Sequence, residues 1–321
     1  MASLETLMST HNFVRRSRPL IALAAAASLL MVAGCASSGG AEPSGSTMPT
    51  SGNEAMDQSI HDLLPEDVRS SGVVTIGVTP EDPPFLSKVD GEYVGIIPEL
   101  MDEVSAVMGV EFKLEELPFP GLIPAIQAGK IDYAWTSMFD TVEREEVLDF
   151  SSYAAANFGL LVQKGNPKDI NFLEDLCGTV ASTTKGTVMA TALEEQKAKC
   201  AAEGKPDMRI SLYDSQSAAH VQLKAGQVDS FLGTATPLTY LAENAEGGAV
   251  FEMAEGSYPA GYLAVGSSKT EKGLAEAMSA ALLAIEKDGA YAAVFDKYSA
   301  ANDVLPTDLI VVNGRTSGVL K

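Results

Sequence analysis

The sequence has 321 residues, of which 22 are lysine or arginine and 43 are aspartate or glutamate, so its formal net charge at pH 7 is −21. A surface this acidic repels nucleic acid and anionic lipid headgroups, which excludes a nucleic-acid-binding function. The whole chain has only three histidines and three cysteines, without a cluster at metal-ligand spacing, so we expect neither a metal site nor a cofactor.

The first 34 residues have the pattern of a bacterial export signal. Three arginines precede an apolar run over residues 20–33, which is too short to span a bilayer. The run ends at Val32-Ala33-Gly34-Cys35, which resembles the lipobox of bacterial lipoproteins, whose cysteine is diacylated and becomes the new N-terminus. We therefore expect lipidation of Cys35, with a plain secretory peptide as the alternative. The adjacent arginines leave the export route open between the general and the twin-arginine pathway.

Residues 35–56 are predicted to form the lipid anchor and a flexible tether. The stretch consists mainly of Ser, Gly, Thr, Pro and Ala, so it cannot bury enough apolar surface to fold. No later apolar stretch is long enough to cross a membrane. We therefore expect an extracytoplasmic protein that the lipid anchor holds at the cell membrane.

Two cysteines remain after lipidation, Cys177 and Cys200. In an oxidising compartment we expect them to form a disulfide, which would contribute roughly 3 kcal/mol through loop closure. Two buried free thiols are the alternative.

The first half of the folded part alternates strands and helices. A β-branched run predicts a strand at 73–78, and apolar residues at helical spacing predict a helix over 97–108 that ends at Gly109. Further strands are predicted at 111–115 and 131–135, with a helix over 122–128 between them. This alternation indicates an α/β fold.

A second α/β block begins near Gly159. Its predicted strands lie at 179–182, 208–213, 228–232 and 250–253. Its predicted helices lie at 187–201, 217–225 and 237–245. The last part of the chain has one more predicted strand at 261–265 and two helices at 274–287 and 290–298.

The two blocks share a short pattern in which a helix ends at Ala-Gly and a strand with an aspartate follows. The pattern occurs at 126–133 and again at 222–230. Two similar units indicate two lobes that face each other across a cleft, although such turns recur in many α/β proteins.

Several motifs in order resemble the bacterial extracellular solute-binding proteins of family 3, the polar amino acid type, over residues 74–297. They are Pro83-Pro84-Phe85, Tyr93-Val94-Gly95-Ile96, Phe119-Pro120-Gly121-Leu122, Thr141-Val142-Glu143-Arg144, Leu148-Asp149-Phe150-Ser151, Gly186-Thr187 and Lys287-Asp288-Gly289-Ala290-Tyr291. Cys177 and Cys200 also resemble a disulfide of one branch of this family.

The resemblance implies an α/β periplasmic-binding-protein fold of type II, in which two lobes are joined by two crossing strands around a ligand cleft. Lobe 1 then comprises residues 66–159 and 259–321, the latter with a C-terminal extension, and lobe 2 comprises residues 160–258. Hinges are expected near 160–163 and 261–265. The resemblance also implies a monomer that closes on a small amino-acid-like ligand and delivers it to the permease and ATPase subunits of an ABC importer.

The resemblance implies a set of ligand-binding positions in the cleft. They are Glu81, Asp82, Phe85, Phe119, Thr136, Phe139, Arg144, Thr184, Gly186, Thr187 and Thr234. Arg144 matches the arginine that holds the ligand carboxylate in a bidentate fork, which lysine cannot reproduce. Thr187 is placed to bind the same carboxylate from lobe 2, and Phe119 to stack on the ligand. Taken alone, these residues would be a surface charge, a helix cap and a core aromatic.

Three positions depart from the family pattern. Thr234 stands where many members have an aspartate for the ligand ammonium, Asp82 replaces an aromatic residue, and Phe139 replaces a threonine. The usual ammonium site is therefore altered, and Glu81 with Asp82 is the alternative source of negative charge.

The departures resemble the ectoine-binding members of the family, which have a glutamate in the first loop, an aromatic residue before T-x-E-R and Gly-Thr in place of the aspartate. Phe119 and Phe139 would offer apolar faces to a delocalised cation. Ectoine and hydroxyectoine are therefore candidate ligands beside amino acids, although one aromatic of that cage is missing at Pro84.

The sequence is also compatible with two other functions. An exported enzyme on the same fold, similar to cyclohexadienyl dehydratase, would need a positioned acid or base, and Glu81 and Asp82 are the candidates. A ligand sensor would need a transmembrane segment and a signalling module. We expect a binding protein without enzymatic activity.

Overall fold

The computed structural model describes residues 56–321, except for the side chains of residues 259 and 260. The predicted signal segment 1–34, the lipidated Cys35 and the tether up to residue 55 lie outside this range. Within it the strands are β1 Val73–Val78, β2 Glu81–Asp82, β3 Leu86–Val89, β4 Glu92–Val94, β5 Glu111–Glu116, β6 Tyr133–Ala134, β7 Leu148–Gln163, β8 Val180–Thr184, β9 Arg209–Tyr213, β10 Ser230–Thr234 and β11 Phe251–Ser268.

The helices of the same range fall between these strands and after them. They are α1 Gln58–His61, α2 Glu66–Ser71, α3 Ile96–Met108, α4 Leu122–Gln127, α5 Val142–Glu145, α6 Val188–Ala202, α7 Gln216–Lys224, α8 Ala235–Asn244, α9 Leu274–Lys287, α10 Ala290–Lys297 and α11 Gly314–Ser317. Among residues 56–321, none of the helices combines the length and the hydropathy that a membrane span requires.

The strands form an eight-stranded mixed sheet in the order β5-β1-β6-β11-β7-β10-β8-β9, beside a small sheet β2-β3-β4. The parallel strands β5, β1 and β6 lie on one side of the long antiparallel pair β7 and β11, and we call this side lobe 1. The parallel strands β8, β9 and β10 lie on the other side, which we call lobe 2. The predicted fold of two α/β lobes joined by two crossing strands is confirmed.

The crossing strands differ from the prediction in length. Separate strands were predicted at 250–253 and 261–265, but β11 runs continuously over Phe251–Ser268 and pairs with β7 along most of its length. The prediction was wrong because register shifts at Met253/Ser257 and Pro259/Gly261 interrupt the regular pairing of the strand without ending it. Residues 158–162 of β7 pair with β10, which belongs to lobe 2. Strand β7 therefore passes from lobe 1 to lobe 2 slightly before the predicted hinge at 160–163.

The repeated Ala-Gly pattern has the same structure in both lobes. Gly129 and Gly226 each have a positive φ, of 64° and 68°, which explains why glycine ends each helix. Asp132 then accepts the backbone N–H of Thr75 at 2.7 Å, and Asp229 accepts that of Val180 at 2.8 Å. Each aspartate therefore ties its strand to the neighbouring parallel strand, so the two lobes use one local design.

The predicted helix after the first strand is confirmed as α3, whose apolar stripe is buried and whose end is Gly109 in the left-handed conformation. Each fully buried aliphatic side chain of this stripe contributes roughly 1.5–3 kcal/mol. In lobe 2 the predicted disulfide between Cys177 and Cys200 is also confirmed, with a Cα–Cα distance of 5.6 Å. It ties the C-terminal end of α6 to the turn before β8.

Candidate ligand-binding site

A cavity with about 510 Å³ of empty space, part of it open to solvent, lies where the two lobes face each other. Lobe 1 contributes residues from β2 and from the loops around α4 and α5, and lobe 2 contributes the ends of β8 and β10 and the start of α7. The predicted ligand-binding residues that line it are Glu81, Asp82, Phe119, Thr136, Phe139, Arg144, Thr184, Thr187 and Thr234.

Two predicted residues do not line this cavity. The Phe85 side chain is fully buried in the core of lobe 1, where its ring packs edge-on against Phe295 at a centroid distance of 6.5 Å. Phe85 is therefore a core residue, and the prediction that it contacts the ligand is wrong. Gly186 is exposed and lies outside the cavity, but its carbonyl oxygen accepts a hydrogen bond from Arg144.

Arg144 forms the cationic end of the cavity and joins the two lobes. Its guanidinium donates to the carbonyl oxygen of Phe139 in lobe 1 at 2.5 Å and to that of Gly186 in lobe 2 at 2.9 Å. The guanidinium carbon lies 5.7 Å from the centre of the Phe119 ring, a cation–π distance. A guanidinium has five N–H donors, so these two bonds orient the fork without using it up.

Burial lowers the pKa of Arg144 to about 10, more than the neighbouring Glu143 and Asp140 raise it. The group therefore stays cationic at neutral pH. Across the cleft, Thr187 precedes α6 as its N-cap, and its hydroxyl accepts the N–H of Ala190 at 3.3 Å and donates to the carbonyl of Thr184 at 2.8 Å. The positive end of the helix dipole thus faces the same region, which favours an anionic ligand group there.

Asp82 and Glu81 form the acidic end of the cavity. Asp82 is only 6% exposed, and its carboxylate accepts a hydrogen bond from the side-chain amide of Gln216 in lobe 2. Glu81 is half-buried and accepts the backbone N–H of Gln216 at 2.9 Å. Both carboxylates therefore meet the first residue of α7, where the helix dipole stabilises negative charge.

The pKa of Asp82 is raised to about 6, because burial raises it more than the hydrogen bond from Gln216 lowers it. A carboxylate in this setting is short of compensating charge, because one neutral amide does not replace its lost hydration. A cationic ligand group beside Asp82 would supply that charge.

Aromatic rings and hydroxyl groups line the cavity between its two ends. Phe139 is buried and packs edge-on against Phe158 at 6.4 Å between ring centres. Thr136 and Thr234 are buried in the wall, and the hydroxyl of buried Thr184 has no hydrogen-bond partner within residues 56–321. That hydroxyl is available for a polar ligand atom.

Sequence reasoning missed Gln216, which is the lobe 2 residue that contacts the acidic end. Ser215 caps α7 by accepting the N–H of Ala218 at 3.2 Å, a recognisable start signal, but the prediction began the helix one residue later. The sequence therefore contained a signal for the start of the helix. It contained none for the contact, because Gln216 and Asp82 lie 134 positions apart. Within the described part of the chain, no group of three or more His, Cys, Asp or Glu residues could hold a metal ion.

Comparison with known proteins gives a consistent picture. Residues 74–301 match the family model described as bacterial extracellular solute-binding proteins, family 3. The chain is 31% identical over 192 residues to the arginine-binding protein ArgT of Corynebacterium glutamicum, a match that covers 59% of this chain and 62% of that protein, which is less than two thirds of its length.

Two further similarities cover more of the compared chain. The L-arginine-binding protein of Pseudomonas aeruginosa is 29% identical over 231 residues, which cover 70% of this chain and 87% of that protein. Among solved structures, an ancestral arginine-binding protein bound to arginine is similar with a TM-score of 0.64 and 28% identity, covering 71% of this chain and 98% of that chain.

Proposed function

Because the chain belongs to the bacterial extracellular solute-binding proteins of family 3, we propose that it captures a small amino-acid-like zwitterion for an ABC importer. The observation that carries this proposal is the cavity between the lobes, which has Arg144 at one end and Asp82 with Glu81 at the other. A ligand with one carboxylate and one cationic group would complement both ends. The names of the relatives, which are arginine-binding proteins, support the same class of ligand.

Arg144 binds the ligand carboxylate in this proposal. The hydrogen bond to Phe139, within lobe 1, orients the guanidinium before the ligand arrives, which reduces the entropy lost on binding, and the bond to Gly186 adds a contact from lobe 2 when the lobes close. Thr187 and the start of α6 contribute from lobe 2, so the bound carboxylate contacts both lobes. Closing of the lobes is thereby coupled to binding.

The acidic end binds the cationic group. A planar, delocalised cation fits best, because Phe119 and Phe139 supply aromatic surface and Asp82 supplies the charge. Two ligand types have this chemistry, the amidinium ring of ectoine or hydroxyectoine and the guanidinium of arginine. Ectoine agrees with the departures at Glu81, Phe139 and Thr234, whereas arginine agrees with the named relatives.

The importer context follows from the same proposal. We propose that the export signal 1–34 is removed, that Cys35 is lipidated, and that the tether lets a monomeric binding domain reach a membrane permease with its ATPase. Replacing Cys35 by Ser should release the protein from the membrane fraction, whereas an unchanged distribution would contradict the anchor.

A thermal-shift screen of amino acids, ectoine and hydroxyectoine tests the function. A ligand at 100 times its dissociation constant stabilises the native state by about 2.7 kcal/mol, so a true ligand should raise the melting temperature clearly. The ligand should be recovered chemically unchanged from the complex. A product in its place would favour the alternative of an enzyme on the same fold, and a screen without any shift would contradict the proposed ligand class.

A further inference from the structure

The C-terminal segment from Leu305 to Lys321, which we call the tail, packs on lobe 1 and lies beyond residue 301, where the family match ends. Asn313 fixes it to β7 through its side chain. The Asn313 amide oxygen accepts the backbone N–H of Phe150 at 2.9 Å, and its amide nitrogen donates to the carboxylate of Asp149 at 2.8 Å.

A buried serine provides a second attachment of the tail. The hydroxyl of Ser152 donates to the carbonyl of Leu309 at 2.6 Å and accepts the N–H of Val311 at 3.0 Å, while Ser151 and Val312 form an antiparallel bridge. The side chain of Leu320 is also buried. The tail is therefore an integral part of lobe 1.

The tail also holds Glu145, the residue that follows Arg144. Glu145 is only 2% exposed, and its two carboxylate oxygens accept the backbone N–H groups of Arg315 at 2.9 Å and Thr316 at 2.7 Å. Burial alone would raise the pKa of Glu145, but the hydrogen bonds from Thr316 and Arg315 outweigh it and lower the pKa. Glu145 is therefore an ionised anchor.

The helix between these contacts is very short, so its position depends on them. Helix α5 has four residues, Val142–Glu145, and a helix of one turn has little stability of its own. Thr141 caps its start by accepting the N–H of Arg144 at 3.2 Å, and Glu145 fixes its end to the tail. Arg144 stands between the two attachments and extends into the cavity.

We propose that the tail is a positioning element for ligand binding, which acts through Glu145 to hold the one-turn helix that presents Arg144. The inference rests on the proposed function, because it assigns Arg144 to the ligand carboxylate. Glu145 is accordingly a positioning residue without ligand contact. Ligand affinity then depends on a part of the chain that lies outside the region matched by the family model.

The test compares two glutamates that bind the tail. Glu145→Gln keeps the shape but replaces one of the two oxygens that accept the tail N–H groups by an N–H donor. The control Glu286→Gln, on α9, weakens the bond of Glu286 to the Thr307 hydroxyl at 2.7 Å. Thr316→Pro is a second variant, which removes one tail N–H and leaves Glu145 intact. L-arginine and ectoine binding to the full-length protein is measured by calorimetry, and hydrogen exchange is measured over 142–147.

Glu145→Gln and Thr316→Pro should each raise the dissociation constant about tenfold and speed hydrogen exchange over 142–147, because a misplaced guanidinium loses its fork geometry. Glu286→Gln should change neither. Faster exchange with unchanged affinity would show that the tail has only a structural role, which would overturn the proposal. Unchanged exchange would also overturn it, because the tail would then not hold α5. If the wild-type protein bound neither probe, the proposed ligand class would fail, and the exchange comparison would still decide whether the tail holds α5.

Discussion

The two ends of the cavity hold their charged groups in different ways. At the cationic end, Arg144 is fixed by residues close to it in sequence, since Thr141 caps its helix and Phe139 supplies a carbonyl five positions away. At the acidic end, Asp82 and Glu81 contact Gln216, which lies more than 130 positions away. Arg144 is thus oriented within lobe 1 before Gly186 adds a contact from lobe 2, whereas the contacts of Asp82 and Glu81 to Gln216 form only when the lobes come together.

The partners from lobe 2 are electrically neutral at both ends. Arg144 meets the carbonyl of Gly186, and the two carboxylates meet the amide groups of Gln216. Neutral dipoles orient the charged groups without cancelling them, so the closed cavity keeps a cationic end and an acidic end for the ligand. An opposite charge in lobe 2 would have satisfied lobe 1 by itself and removed the need for a ligand.

The largest effect should come from removing the cationic end. Arg144→Ala should weaken binding of a zwitterion by about 3–5 kcal/mol, because the ligand carboxylate would be buried without its partner. Calorimetry measures the loss, and Arg209→Ala, which changes an exposed arginine of β9, should bind like the wild-type protein. Wild-type affinity in Arg144→Ala would show that this end does not hold the carboxylate.

The disulfide should stabilise the side of lobe 2 that faces Arg144. Cys177 and Cys200 close a loop of sequence separation 23 and anchor α6, whereas α7 at the acidic end has no such link. The double variant Cys177→Ser, Cys200→Ser should lose roughly 3 kcal/mol of unfolding free energy in a denaturant titration. A variant as stable as the oxidised wild-type protein would contradict this role.

Removing the lobe 2 contact should weaken the acidic end specifically. Gln216→Ala leaves Asp82 without its amide donor and should reduce ligand affinity by about 1.5–3 kcal/mol, the range for a hydrogen bond to a charged group. Gln216→Glu should reduce it further, since it places a third carboxylate there. An affinity gain in Gln216→Ala would instead show that the amide competes with the ligand.

The smallest effect is a pH dependence at the same end. The pKa of Asp82 is raised to about 6, so the carboxylate that attracts the ligand cation is lost as the pH falls through 6, and affinity should drop about tenfold between pH 7 and pH 5. Stability of the unliganded protein should change oppositely. The contribution of Asp82 to the free energy of unfolding is fully present below its ordinary pKa near 3.8, and it is lost as the pH rises from there through 6, because the unfolded chain releases its proton first.

Asp82→Asn isolates these effects, because it removes the titrating group without changing the shape of the side chain. The pH dependence of affinity should be weaker in the variant, and the stability difference between wild type and variant should follow the window from pH 4 to pH 6. Identical pH profiles in both proteins would contradict the assignment to Asp82.

The contrast between the two ends also explains what the sequence could predict. Helix α3 and the cap of α5 depend on periodicity, a glycine position and a contiguous motif, which are visible in one stretch of chain. The disulfide was predictable from the cysteine count and the oxidising compartment, and the two lobes from the family resemblance. Gln216 could not be predicted, because its contact with Asp82 depends on how two lobes meet. Phe85 was misplaced for a related reason, since its motif did not show which aromatic ring faces the core.

The continuous strand β11 and the contact of the tail with Glu145 could not be predicted from the sequence either. The sequence predicted separate strands at 250–253 and 261–265, but pairing with β7 continues between them with shifted register. The tail has no motif that links it to Glu145, and only the fold brings Thr316 within 2.7 Å of that carboxylate. Long-range pairing decided both features.

Calorimetric titration of the purified protein with L-arginine, ectoine and agmatine tests whether the cavity binds a zwitterion through both of its ends together. Agmatine has the guanidinium of arginine but lacks its carboxylate. We expect micromolar binding of L-arginine or ectoine, which identifies the ligand type, and no measurable heat with agmatine. Agmatine binding as tight as that of L-arginine or ectoine, or binding of neither zwitterion, would contradict it.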